Sequence, residues 1–338
     1  MNTTPFSTLH VTSHLTGSAQ DQPQEKPTNP AGRTTGRALV LGGGGSTGNA
    51  WLIGVIAGMF DAGMNVTTAD LTVGTSAGST AAAQLAGASP IEMFAAILEA
   101  PPQPQRQPQS QVNPLRHAET LRQANPLKQV VNHLERTSKI IAASTDAADM
   151  RRRMGAAALE LDASADESRQ AQWRATVASR LPSPQWPQRT VLITAVDART
   201  GEPVVFDRHS GVELVDAVAA SCASGFAYGI GDDRYIDGGY RSNAENADLA
   251  AGYARVLVLS PFGGRTRTPL EWGMHLATQV DALRAGGSHV QAVFPDSASE
   301  HMFGANAMDL SLRPSAAQVG YDQGRALVEE LSGFWNVG

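Results

Sequence analysis

Two short apolar runs, each ending in glycine and each followed by a helix-spaced segment, constrain the fold more than any other feature of the chain. Arg37-Ala38-Leu39-Val40-Leu41 enters four glycines, Gly42 to Gly45. Residues 48–62 then place apolar side chains at Trp51, Val55, Ile56, Met59 and Phe60, a helical spacing with Gly63 as its stop. Leu71-Thr72-Val73 repeats the arrangement. It enters Gly74-Thr75-Ser76-Ala77-Gly78 and continues as an alanine-rich helical segment through Ala86. Both runs read as buried strands feeding tight turns.

The remaining pattern extends this alternation. Ser89-Pro90 opens a helix, with Ser89 as N-cap and Pro90 at the first helical position. PPQPQRQPQSQVNP, from Pro101, has too many prolines for a helix or a central strand and reads as an exposed loop. Leu115 to Leu181 is helix-like, with Leu127, Val130, Val131, Leu134 and Ile141 in helical register and Arg151 to Arg153 on a solvated face. Residues 101–187 are therefore expected to form a helical cap or insertion. Strands are expected at 190–196 and 203–206, joined by a hairpin connection over 197–202, and again at 234–236 and 255–259. Helices are expected at 212–222, 270–285 and 315–331. The class is α/β, a largely parallel central sheet with flanking helices. Residues 1–36, rich in Thr, Ser, Gln, Pro and Gly, read as a disordered tail before one domain over 37–338.

Composition narrows the function classes. The formal net charge of the 338 residues is -6, which argues against a strong electrostatic grip on nucleic acid or an anionic membrane. Cys222 is the single cysteine, so no intrachain disulfide can form. It reads as a small buried hydrophobe. No apolar run reaches the roughly 18 residues of a membrane span. The N-terminus lacks the basic start and apolar stretch of a secretory signal, which makes a cytoplasmic protein the default expectation.

Three motifs carry chemistry. Gly74-Thr75-Ser76-Ala77-Gly78 fits G-x-S-x-G between a strand and a helix. A sharp turn there pushes the serine out of the sheet, and the helix N-terminus favours developing negative charge beside it. The glycines of Gly42-Gly43-Gly44-Gly45-Ser46-Thr47-Gly48 expose backbone N–H groups, which suits either a phosphate or the oxyanion of acyl transfer. The spacing G-x-G-x-x-G is met by Gly43, Gly45 and Gly48. The acid that should end a second strand about 20 residues later is missing, because Asp61 falls at a helix end. No lysine precedes a Ser or Thr, so the P-loop pattern fails as well. Asp237-Gly238-Gly239, at the end of a short strand, can aim a carboxylate into a cleft.

In this order the three motifs resemble the patatin-like phospholipase family. Thr194-Ala195-Val196-Asp197 with Thr200-Gly201-Glu202 and Val205-Phe206 is similar to its strand pair, and Ala219-Ala220-Ser221-Cys222-Ala223-Ser224 to its Ala-Ser segment. The resemblance covers residues 37–262, interrupted by the cap, and implies a patatin-like three-layer architecture. It implies Ser76 as nucleophile and Asp237 as base, a dyad without histidine. The N–H groups of Gly43, Gly44 and Gly45 would form the oxyanion hole. The implied substrate is a lipid ester (phospholipid, lysophospholipid or acylglycerol), which leaves room for peripheral membrane contact; no His/Glu zinc pattern or calcium-loop pattern appears, so no metal or other cofactor is expected. The sequence departs from the family at Thr47, where an Arg or Lys is common, and at Ser224-Gly225, where a proline is common. Two alternatives stay open: a Ser-His-Asp esterase using His275, His289 or His301, and a non-catalytic lipid- or acyl-binding protein on the same fold. A carboxylate base further implies an acid limb of kcat/KM below about 6.

Overall fold

The computed structural model describes residues 35–99, 126–162 and 167–336. Nearly all of the expected tail, the proline-rich stretch from Pro101 and the start of the helix-like segment lie outside the described residues. Eight strands form one sheet among those described: β1 (Arg37–Leu41), β2 (Leu71–Gly74), β3 (Thr190–Asp197), β4 (Pro203–Phe206), β5 (Tyr228–Ile230), β6 (Asp233–Asp237), β7 (Arg255–Leu259) and β8 (His289–Val293). The hydrogen-bonded succession is β5-β6-β3-β2-β1-β7-β8, with β4 also paired to β3 on the edge opposite the one that β2 and β6 share. The run β3-β2-β1-β7-β8 is parallel, and β4, β5 and β6 are antiparallel additions.

The period-two alternation of strand side chains builds the layers. Leu39 and Leu41 of β1 and Leu257 and Leu259 of β7 face one side, toward α1 (Gly45–Asp61), α2 (Ala77–Gly87) and α9 (Arg313–Trp335). Ala38, Val40, Val256 and Val258 face the other, toward α8 (Leu276–Ala285) and the turn around Ala247. Both faces are covered, as a parallel sheet requires. On the first face α1 and α9 meet backbone to backbone. A Cβ at Gly54 or Gly58 would strike Ala317 or Tyr321, and one at Gly320 or Gly324 would strike Trp51 or Val55. At the start of α3 (Pro90–Glu99), Ser89 N–H donates to the Glu92 carboxylate and Glu92 N–H to Ser89 Oγ, a reciprocal capping box.

The register of β3 decides where the chemistry sits. One edge of β3 pairs with β4, since Ile193 opposes Phe206 and Ala195 opposes Val204. The other edge pairs first with β2, ending at Ile193 opposite Gly74, and then with β6, ending at Ala195 opposite Asp237. Strands β2 and β6 therefore meet head to head on one edge, with Thr194 alone between their ends.

Among the described residues three helices stand between α3 and β3: α4 (Pro126–Ala143), α5 (Ala147–Asp162) and α6 (Glu167–Ala178). Ile141, Met150, Met154 and Ala158 pack on Val196, Ala198, Ile236 and Met274, so α4 and α5 sit where β3 and β6 finish. Arg152 and Arg153 are exposed and pair with Asp149, as a solvated face predicts. Arg151 departs from that expectation. It is half-buried and donates to the carbonyls of Gly201 and Arg241 at 2.8 and 3.3 Å, tying α5 to the hairpin.

Other departures have local causes. The helix expected over 270–285 is broken by Gly273, at φ 66, into a short turn (Leu270–Trp272) and α8. Strand β5 is three residues with a central glycine, and β8 is an edge strand of mixed polarity, His289-Val290-Gln291-Ala292-Val293. Neither carries a recognisable apolar period. Among the described residues no single helix is long and apolar enough to cross a membrane.

Candidate active site

Ser76 occupies the turn between β2 and α2 with φ 51 and ψ −113, a backbone region that side-chain-bearing residues rarely adopt. The flanking glycines make that turn fit. A Cβ at Gly78 would strike the Leu41 carbonyl at the end of β1, and one at Gly74 would come within 2.7 Å of Ser79 Cα. The strained residue is held on both sides. Its N–H donates to Ser221 Oγ at 2.9 Å, and its carbonyl accepts from the Cys222 thiol at 3.1 Å and from Ser79 Oγ at 2.7 Å.

Asp237 ends β6, on the far side of Thr194. Its backbone N–H donates to Ala223 O at 3.1 Å, and its Oδ1 accepts from Gly239 N–H at 2.8 Å. The residue is only 7% exposed. Burial raises its carboxyl from the ordinary value to about 6, against the opposing pull first of Gly239 N–H and then of the Ser76 hydroxyl. That ranking, which no sequence pattern supplies, puts desolvation first. The Ser76 hydroxyl is close enough to act on the Asp237 carboxyl, without full hydrogen-bond geometry between the two side chains. Catalytic hydrogen bonds commonly tighten only in the substrate complex.

The glycine loop lies against this pair, since a Cβ on Gly43 would sit 3.6 Å from Ser76 Cβ. Gly43 N–H donates to Ala244 O at 2.8 Å, which engages one of the three amides expected to serve an oxyanion. The amides of Gly44 and Gly45 have no acceptor among the described residues, and neither does that of Ala77, the first residue of α2. Gly45 needs to be glycine twice over: its φ is 65, and a Cβ would lie 2.7 Å from Ala307 O.

The family model described as patatin-like phospholipase matches residues 39–249, more than half of the chain. The chain belongs to the patatin-like phospholipase family. Two solved structures are similar at lower levels. VipD from Legionella pneumophila is 11% identical with a TM-score of 0.40, over 89% of this chain and 67% of that one. The type III effector protein ExoU is 15% identical with a TM-score of 0.30, over 86% of this chain and 54% of that one. No curated protein matches in a sequence comparison.

Both departures of this patatin-like chain acquire a physical account. Thr47 is fully buried and donates its N–H to Ala307 O at 3.0 Å. A guanidinium reaches the same loop from α9 instead: Arg313 donates to Ser46 O at 2.7 Å, Ser46 Oγ at 3.1 Å and Asn49 Oδ1 at 3.2 Å. Burial, and then the charge of Arg180, pull Arg313 down to about 10. At the second departure, Gly225 has φ 91 and lies against α4, where a Cβ would come within 3.0 Å of His133 Nδ1. Glycine there gives the helix room. His133 Nε2 then contacts Ser224 Oγ at 3.1 Å and Tyr240 Oη at 3.3 Å.

His133 is thus the histidine next to the site, and it differs from those weighed on sequence. Burial first, then the charges of Arg136 and Arg267, pull it down to about 4. His275 bonds Thr268 O and His301 bonds Ala298 O, while His209 and His289 are exposed. Among the described residues no histidine hydrogen-bonds to Ser76 or Asp237. Cys222 is half-buried, and its thiol is raised by burial and then by Asp237, the opposite of nucleophilic activation. Asp61, set aside above as the acid of a G-x-G-x-x-G pattern, instead bonds Tyr321 and pairs with Arg325 on α9. Among the described residues no group of three or more His, Cys, Asp or Glu is arranged to hold a metal.

Sequence reading missed Arg313 and the segment Asn243-Ala244-Glu245-Asn246. Ala244 O receives Gly43 N–H. Glu245 is buried behind Gly42, accepts from Ser260 Oγ at 2.5 Å and is raised by burial to about 7. The signal available was the two asparagines so soon after Asp237, since asparagine favours turns and left-handed backbone.

Proposed function

We propose that the chain is a serine acyl hydrolase of lipid esters, with phospholipid, lysophospholipid or acylglycerol as substrate, Ser76 as nucleophile and Asp237 as base. The observation that carries this reading is the placement of a strained, half-buried serine and a buried carboxylate at the two strand ends that meet at Thr194. The family assignment supports a lipid hydrolase in general terms.

In this mechanism the ionised Asp237 accepts the Ser76 proton as Oγ attacks the ester carbonyl carbon. The carbonyl oxygen becomes an oxyanion, and the amides of Gly44, Gly45 and Ala77, which have no other acceptor among the described residues, serve as its donors in this reading. Collapse breaks the ester C–O bond, and Asp237 returns its proton to the departing alcohol. A water molecule then attacks the acyl-enzyme, again delivering its proton to Asp237, and the fatty acid leaves as Ser76 regains its proton. The N-terminus of α2 points at the developing charge and favours it.

The test is hydrolysis of a panel of ester lipids and short p-nitrophenyl esters by the protein and by Ser76→Ala, with fluorophosphonate labelling as a second readout. Activity that depends on Ser76 supports the reading. A protein inert to every ester and to the probe favours the non-catalytic lipid-binding alternative.

A further inference from the structure

The separation of Ser76 and Asp237 is not set by the sheet alone, because β2 and β6 do not pair with each other. Each hangs on β3, and Thr194 alone fills the gap. A second connection crosses that gap through Asn246, which is completely buried and adopts a left-handed conformation (φ 55, ψ 41). Its Nδ2 donates to Thr75 Oγ1 at 3.0 Å and to Gly238 O at 2.9 Å, with Thr194 Oγ1 at 3.4 Å as a third, longer contact. Thr75 is the residue before the nucleophile, and Gly238 is the residue after the base. One amide nitrogen therefore ties the two turns together. Resting on the hydrolase reading above, we infer that Asn246 is a positioning residue that fixes the Ser76–Asp237 geometry.

The orientation of the amide follows from its partners. Asn246 Oδ1 accepts from Arg241 Nη1 at 3.1 Å, and a guanidinium can only donate. The nitrogen must then face Gly238 O, which can only accept. Arg241 is itself held by two 3.0 Å bonds to Asp248. Asn246 N–H donates to Asn243 Oδ1 at 2.7 Å, which anchors the backbone. Thr75 Oγ1 and Thr194 Oγ1 lie 2.9 Å apart, so the clamp is a closed cluster of the buried Asn246, Thr75 and Thr194 with Gly238 O. Such buried hydrogen-bonded networks rigidify what they join. The same turn offers Ala244 O to Gly43 N–H, so it reaches the glycine loop as well. Asparagine suits the site because it tolerates left-handed backbone while carrying a donor; most side chains would strain it.

Three variants test the clamp. Asn246→Gly keeps the left-handed backbone and removes the amide. Asn246→Asp keeps the shape and turns an oxygen toward Gly238 O. Thr75→Val removes the acceptor on the nucleophile side together with its bond to Thr194 Oγ1 and leaves Asn246 in place. The measurements are kcat and KM for a soluble p-nitrophenyl ester, the rate of Ser76 labelling by a fluorophosphonate, and circular dichroism. Folded Asn246→Gly and Asn246→Asp are expected to lose kcat by about 30-fold or more with KM within about twofold, and Thr75→Val by about tenfold, with labelling falling in parallel. Folded variants that keep kcat within threefold of the parent overturn the clamp. If the Asn246 variants do not fold, Thr75→Val alone decides on the same criterion. A parent protein with no Ser76-dependent activity overturns the hydrolase reading and the clamp together; an active parent with fully active variants overturns the clamp alone.

Discussion

The Ser76 amide donates to Ser221 Oγ at 2.9 Å across a sequence separation of 145 residues. The hydroxyl sits at the end of α7 (Leu214–Ser221), and the next residue, Cys222, bonds the Ser76 carbonyl. Two consecutive residues thus grip both backbone polar groups of the strained turn. Removing the acceptor with Ser221→Ala leaves a buried N–H unpaired, a penalty of roughly 1–3 kcal/mol. We expect kcat to fall about tenfold or more in a protein that still shows native circular dichroism. Unchanged kcat in Ser221→Ala would mean that the turn holds itself.

Strain at Ser76 predicts a trade between activity and stability. Its φ of 51 with ψ −113 suits glycine better than any other residue, and such backbone costs of order 1–3 kcal/mol. Ser76→Gly is expected to raise the unfolding midpoint while abolishing ester hydrolysis, and Ser76→Ala to abolish activity without that gain. Equal midpoints for the two variants would show that the turn stores no strain at this residue.

Much of this arrangement was legible in the chain itself, because apolar period and glycine placement are local properties. Leu39 and Leu41 alternating with Ala38 and Val40 specify a strand buried on both faces. The strand–G-x-S-x-G–helix context specifies the turn at Ser76. What stayed hidden depends on register and on contacts between distant segments. That β2 and β6 share one edge of β3 follows from Ile193 and Ala195 having partners on both sides, a fact of pairing and not of pattern. Arg313 reaches the glycine loop from 267 residues away in sequence, and Gly43 N–H is engaged by a carbonyl, which no motif records. Edge strand β8 escaped because an edge needs no apolar run.

Asp237→Asn is expected to be inactive and more stable at neutral pH. The sign follows from linkage. The folded-state carboxyl is raised to about 6 by burial, so between pH 4 and 6 the folded protein binds more protons than the unfolded chain. Stability contributed by this group therefore falls as pH rises through that window and stays low above it. Asparagine never ionises and still accepts from Gly239 N–H. At pH 8 the variant should gain on the order of 2–3 kcal/mol at most, the free-energy equivalent of about two pKa units. Near pH 4 the gain should vanish. Urea unfolding at both pH values checks it, and a gain independent of pH would point to a packing effect instead.

The pH–rate profile discriminates among the titrating groups around the site. The sequence places the acid limb of kcat/KM below about 6, because a carboxylate ordinarily ionises well below a histidine. Burial raises the carboxyl: Asp237 stands at about 6, so the limb is expected there. Two neighbours bear on the assignment. His133, bonded to Tyr240 and Ser224, is held near 4 by burial and by Arg136 and Arg267, too low to produce this limb. Glu245, behind the glycine loop, is held near 7 and bonded to Ser260, close enough in value to be mistaken for the base. A soluble p-nitrophenyl ester, assayed with a stability check at each pH, separates them. The limb near 6 should survive in His133→Ala and in Glu245→Gln. A limb near 7 that disappears in Glu245→Gln would assign it to Glu245, behind the glycine loop, and not to Asp237. Loss of the limb in any histidine variant would replace the dyad with a triad.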